Sequence, residues 1–235
     1  YVAPWSTIWT PFIFSTGGSW FNDDVTELTL NSPEAVEALT NMANLRLTEN
    51  VAPTLDIADS IGWDVMIQSG KVAMFIDGTW NMPTMIDTWG SDLGVGVLPM
   101  YKEYRTATFS DPAVVWSGSP NKDLAFEFVR FISDPSLQLD VFKAGNGVPT
   151  ERAYLSGDGL QWLEGTNLPE HYDTVVVDNL NYSGVMPGKV TALMPAIEWP
   201  VVMNTLMPAF RGEMDMQAAM DAAHDAAEPV LAGDA

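Results

Sequence analysis

The sequence predicts an α/β layered fold with some parallel strands. Two observations carry this reading. Short apolar runs bounded by glycine and proline alternate with longer segments whose apolar residues recur at helical spacing. Of 235 residues, 47% are hydrophobic, which is ample material for a core and excludes wholesale disorder. At about 150 residues per domain, this length predicts one large or two small domains.

The first 21 residues are rich in aromatics and end at a turn punctuated by Gly17-Gly18. The clearest helix follows, over about 33–48. Ser32 caps it, Pro33 suits the first helical position, and Glu34 and Glu37 complement the positive helix end. Leu39, Met42, Ala43 and Leu47 then recur at helical spacing. A shorter helix is predicted over 60–69, capped by Ser60 and ended by Gly70. Residues 71–77, KVAMFID, read as a buried strand, and Gly78-Thr79-Trp80-Asn81 turns out of it into a helix near 82–89. A second strand is expected over 93–98, a loop over 100–112 and a third strand over 113–117.

Ser119 or Asn121 can cap a helix running through Leu124, Phe128, Val129 and Ile132, and Asp134-Pro135 starts another that ends at Gly145. Residues 145–168 are loop-rich. Helical patterns follow at about 169–180, 191–211 and 215–231, the last capped by Asp215. Pro200 and Pro208 each remove a backbone donor inside the 191–211 pattern, so a kink or break is expected there.

Charge narrows the function. There are 31 acidic residues against 10 basic ones, a net charge of −21. A phosphate backbone is bound through clustered Lys and Arg, so nucleic acid is excluded as a partner, as is docking on an anionic membrane surface. Asp outnumbers Glu, 19 to 12, and such a surface resists self-association; a saline habitat and an ordinary acidic secreted protein both fit. Without cysteine there are no disulfides, thiolate zinc sites or thiol nucleophiles. No stretch reaches the ~18 continuous apolar residues that span a bilayer. The opening YVAPWSTIWTPFIF has neither a basic n-region nor a small-residue cleavage site, so it does not read as a signal peptide. With no initiator Met, the chain reads as a piece of something longer.

Catalytic signatures are missing. The two histidines, His171 and His224, are not in metal-type spacing and read as surface residues. No GxSxG elbow, GxGxxG turn, Walker-type loop or calcium-loop pattern occurs. No catalytic residue, metal or cofactor is assigned.

Tryptophan is the informative residue, with nine copies. Trp5, Trp20, Trp80, Trp116 and Trp199 sit in turns or at helix starts. An indole offers a flat apolar face that can cover the C–H face of a sugar, while nearby polar side chains satisfy the hydroxyls. Trp63 and Trp162, on amphipathic helical faces, read as core fillers.

The order of segments adds a resemblance. GGSWFND, the capped helix SPEAVEALTNMANL, GKVAMFIDGTW, GVGVLP, SPNKDLAFEFVRFISDP and GNGVPT follow one another as in the C-terminal part of extracellular solute-binding proteins of ABC importers. The resemblance is to the carbohydrate-binding group that includes maltose-binding protein, and it covers nearly the whole chain. It implies a class II periplasmic-binding-protein-like fold of two α/β lobes, with sugar held in the cleft between them. Residues 1–112 and about 151–235 would form the C-terminal lobe. Residues 113–150 would return to an N-terminal lobe of which this chain lacks most.

By the same resemblance, Trp80 and Trp199 fall where the family places sugar-stacking tryptophans, Pro200 being a departure from the pattern. Trp5 resembles an aromatic lining the cleft. Asp77, Asn81 and Glu198 are polar candidates for sugar hydroxyls, and Trp20 is a further candidate. The implied protein is not an enzyme. Its partners are a carbohydrate ligand, preferably a neutral oligosaccharide, and the permease subunits of an importer. Its place is periplasmic or extracellular, with a lipid anchor ahead of residue 1 as one option. The alternative is a secreted glycoside hydrolase or lectin-like module. The hydrolase would need two carboxylates, Asp77 and Glu198 foremost, about 5–10 Å apart across an open cleft. A purely structural domain would instead bury every indole face.

Overall fold

A computed structural model describes residues 3–110, 112–184 and 188–233. In chain order these form α1 (Ser6–Thr16), α2 (Pro33–Leu47), α3 (Leu55–Ile61), α4 (Trp63–Gln68), α5 (Met82–Trp89), β1 (Thr106–Ala107), α6 (Lys122–Ile132) and α7 (Pro135–Lys143). Then come β2 (Ser183–Gly184), α8 (Gly188–Ile197), α9 (Asn204–Arg211) and α10 (Met216–Ala232). The chain divides into two compact units. One comprises residues 1–76, 98–107 and 182–235, and the other 77–97 and 108–181.

In the first unit, α1, α2, α9 and α10 surround the main core, whose fully buried members include Trp9, Ile13, Leu39, Met203, Leu206 and Phe210. The expected start of α2 is present: the Ser32 hydroxyl oxygen accepts from the Ala35 N–H, with Pro33 first in the helix. α1 was not among the elements expected from sequence. It is buried on nearly every side, so it shows no amphipathic period to find. Its end is set by Gly17 at φ +86°. The Gly17 and Gly18 N–H groups donate to the Phe14 and Ile13 carbonyls, which closes the helix in a Schellman turn.

The expected helix over 60–69 is two helices. Thr54, not Ser60, caps α3, and Gly62 at φ +85° breaks the run. The 191–211 pattern is interrupted at Pro200 but not at Pro208, which lies within α9. α8 and α9 are joined by a π-helical turn over Glu198–Met203 that contains Pro200. α10 begins at Asp215, whose side chain accepts from the Ala218 N–H at 3.2 Å. Asp215→Ala is expected to cost about 1 kcal/mol, read as a lower urea midpoint by circular dichroism.

The strand expectations are corrected. Residues 71–77, 93–98 and 113–117 form no strand, and the described residues contain one two-stranded parallel sheet, β1 beside β2, with Thr106 opposite Ser183. β1 lies inside the expected loop 100–112, where residue 111 is outside the described residues. A buried parallel strand needs neighbours along its edges and layers on its faces. These three runs are irregular and largely open, with Met74, Val97 and Val114 exposed. Their apolar character was readable; in the described residues it yields at most a single bridge position, at Ile76.

The second unit has its own small core around Trp162, Tyr172 and Val177. Tyr172 donates to the Gly147 carbonyl at 3.2 Å, and burial raises its phenol above the ordinary range. The helix expected over 169–180 is instead a π-helical turn, Asp173–Val177, followed by a 3-10 turn, Asp178–Tyr182. Preceding it, His171 sits at φ +68°, which an α-helix does not accommodate. In this unit α6 buries none of its residues, and Leu124, Phe126, Phe128 and Phe131 are exposed.

Candidate functional site

The second unit presents two open indoles, Trp80 and Trp116, and the first presents Trp199; Trp80 and Trp199 are the two that stand beside hydrogen-bonded acidic side chains. In the second unit, Asp77 sits at the head of the turn into α5. Its Oδ1 accepts the Gly78 N–H at 2.7 Å and its Oδ2 accepts the Asn81 side-chain N–H at 2.6 Å. Asp77 and Asn81 therefore clamp the 3-10 turn Thr79–Asn81 that carries Trp80. The indole folds back onto Gly78, where a Cβ would lie 2.1 Å from Cζ3 of the ring. Only glycine admits this approach. With one side against the backbone, Trp80 is still 45% exposed. The ring is thus seated without being buried, as a stacking platform requires.

In the first unit, the π-helical turn carries Glu198 and Trp199, and Trp199 is 60% exposed. The Ser6 hydroxyl donates to Glu198 Oε1. Ser6 opens α1, whose own first turn has no acidic residue. The Glu198 carboxylate thus supplies the negative charge that the positive end of α1 favours. Trp5 is the residue immediately before α1 and is half-buried. The Ser6–Glu198 bond consequently ties the backbone bearing Trp5 to the turn bearing Trp199.

Trp20, expected at the site, is instead a core residue. It is 1% exposed, stacks on Trp9 with ring centroids 4.8 Å apart, and donates its indole N–H to Thr10 Oγ1 at 3.0 Å. No face is left for a ligand. His171 is exposed, whereas half-buried His224 donates from Nδ1 to the Leu28 carbonyl at 2.6 Å, the tautomer that a carbonyl acceptor requires. Among the described residues, no group of three or more His, Asp or Glu could hold a metal ion. No described helix is long and apolar enough to cross a membrane.

Sequence reasoning overlooked Ser6 and read Gly78 only as a turn residue, not as the seat of the Trp80 ring. Gly78 left a signal in the spacing Gly-Thr-Trp. Ser6 left none, because its partner lies 192 residues away.

Residues 1–139, more than half of the chain, match the family of bacterial extracellular solute-binding proteins, and the chain belongs to that family. It is a family of binding proteins, not enzymes. Solved structures agree on the fold. An ABC substrate-binding protein from Listeria monocytogenes, in complex with cycloalternan, superposes with a TM-score of 0.77 at 22% identity, covering 95% of this chain and 56% of that one. The GacH receptor of Streptomyces glaucescens, solved unliganded and with acarbose, gives 0.73 at 18% identity, covering 96% and 57%. A solute-binding protein from Thermotoga lettingae bound with α-D-tagatose gives 0.72 at 18% identity, covering 95% and 55%. The chain thus has the class II periplasmic-binding-protein-like fold and spans a little over half the length of these proteins. A comparison with curated proteins found no match.

Proposed function

We propose that this chain is the larger part of the substrate-binding component of an ABC importer, and that it takes up a neutral sugar or oligosaccharide by aromatic stacking. The observation that carries the reading is the exposure of Trp80, beside the Asp77 carboxylate and the Asn81 amide, and of Trp199, beside the Glu198 carboxylate, groups that suit sugar hydroxyls. The structural relatives were solved with cycloalternan, acarbose and tagatose, which supports a carbohydrate as the ligand class. A net charge of −21 disfavours sugar phosphates and sulfates.

In the whole protein, residues 1–112 and 151–235 serve as the C-terminal lobe, and 113–150 lead back to an N-terminal lobe. The open apolar side chains of α6 support a covering body of that kind. Ligand docks on the indoles, the second lobe closes over it by hinge motion, and the closed form engages the permease subunits. No bond is made or broken. The protein works in the periplasm or at the outer cell surface, with a lipid anchor ahead of residue 1 as the means of retention.

The test is a tryptophan-fluorescence titration of the full-length protein with a panel of neutral mono- and oligosaccharides. Trp80→Ala is expected to weaken the best ligand about ten-fold or more, in line with loss of a buried aromatic anchor. An unchanged Kd in Trp80→Ala would remove this platform from the site, and no binding across the panel would overturn the carbohydrate reading.

A further inference from the structure

Trp5 stands at the head of α1 without a side-chain capping bond, and its indole meets a second indole there. The ring of Trp63 lies 5.4 Å from that of Trp5, centroid to centroid, at an interplanar angle of 87°. This is the edge-to-face arrangement that the quadrupoles of two aromatic rings favour. Both rings are half-buried, so the pair is not simply part of the packed core.

Trp63 is itself held firmly. It is the first residue of α4, launched by Gly62, whose backbone (φ +85°, ψ 133°) is one that a side-chain-bearing residue rarely adopts. The Gly62 N–H ends α3 on the Ala58 carbonyl, and the Gly62 carbonyl accepts the Met66 N–H in α4. Met66 and Ile67 root α4 in the interior, and Leu55 and Ala58 root α3. The guanidinium of Arg211, at the end of α9, bonds Asp56 and Asp59 of α3, the latter at 2.7 Å. Contacts thus run from α9 through α3 and Gly62 to the backbone of Trp63.

We propose that Trp63 is a positioning residue that fixes the plane of the Trp5 indole, so that Trp5 meets a sugar ring already oriented. The ligand part of this inference rests on the carbohydrate reading above. A platform that is free to rotate must be immobilised on binding, which lowers affinity; a ring already braced avoids that loss. Trp63 acts through Trp5, and its contribution vanishes when Trp5 is gone.

The experiment uses the full-length protein labelled with fluorotryptophan and followed by fluorine NMR, with the Trp5 signal assigned by its loss in Trp5→Phe. In Trp63→Ala the Trp5 signal is expected to move toward that of a free, mobile indole, and Trp63→Phe should return most of the shift by restoring an aromatic edge. Trp63→Leu, which keeps much of the volume but no ring, should behave like Trp63→Ala and covers the case in which alanine disturbs folding. A Trp5 signal unmoved by both Trp63→Ala and Trp63→Leu overturns the positioning role, whether or not a sugar binds. With the best ligand of the panel, Trp63→Ala should raise Kd about 3- to 10-fold, the scale of one aromatic pair. Trp63→Phe should stay within about two-fold, retaining most of that pair. Adding Trp63→Ala to Trp5→Ala should change Kd no further; an equal loss in that background overturns the proposal. Failure of the wild-type protein to bind any sugar would count against the carbohydrate reading alone, and the NMR comparison would still decide the role of Trp63.

Discussion

Trp199→Ala is expected to weaken binding of the tightest neutral oligosaccharide by about 10- to 100-fold, on the order of 1–3 kcal/mol for one aromatic anchor. The same substitution should leave folding stability within about 0.5 kcal/mol, because it removes a surface side chain. The ring is 60% exposed, so little of its apolar area contributes to the core. Its backbone is fixed by neighbours that the substitution does not touch: Val202 and Met203, buried later in the same turn, and Glu198, bonded by Ser6. Isothermal titration calorimetry gives the affinity and urea unfolding the stability. A large loss of stability with unchanged affinity would reverse the assignment and make Trp199 a packing residue. Trp199→Phe should lie between the two, since a smaller ring retains part of the stacking area.

Trp20→Ala should show the opposite pattern. Loss of this side chain is expected to destabilise the protein by about 3–5 kcal/mol, the range for emptying a large buried aromatic site. The indole is stacked between Trp9 and Phe21, at centroid distances of 4.8 and 6.3 Å. Its removal also leaves the Thr10 hydroxyl, in a residue only 2% exposed, without the indole donor. Urea unfolding followed by far-UV circular dichroism reports this without relying on tryptophan emission. A wild-type midpoint would mean that Trp20 is not part of the core. Trp20→Phe should recover part of the loss through stacking but not the hydrogen bond.

These two tryptophans show what the sequence could and could not reveal. Both stand beside polar residues, in the runs SWFND and EWPVV, and nothing local states which way either indole turns. Trp20 is drawn inward by Thr10 and Trp9, which precede it on a helix that was itself invisible. α1 lacks polar punctuation, carries Pro11 in its interior and is apolar all round, so periodicity could not distinguish it from an irregular buried segment. By contrast α2, α7 and α10 announce themselves through Ser32, Asp134 and Asp215, each of which bonds a backbone N–H of the first turn. Caps act over three residues and can be read locally.

Strand pairing is the opposite case. KVAMFID has the composition of a central strand, yet whether it becomes one depends on neighbours far along the chain or outside it. The DGTW turn was legible for the same reason as the caps. Asp77, Gly78, Trp80 and Asn81 lie within five residues, and their mutual contacts follow from that spacing. The surroundings of Trp199 were not, since Ser6 and Glu198 meet only in the folded chain.

The wide turn at Glu198–Met203 has an effect on phase. A π-helical turn takes up about one residue more than an α-helical turn, and one residue corresponds to a rotation of about 100° around the axis. The segments before and after it are therefore out of step by that amount. Leu206 and Phe210 of α9 can keep their inward registration while Trp199 is displaced around the cylinder and away from them. An inserted residue of this kind lets a lineage rotate a binding group to a new heading while the hydrophobic seam downstream stays in place.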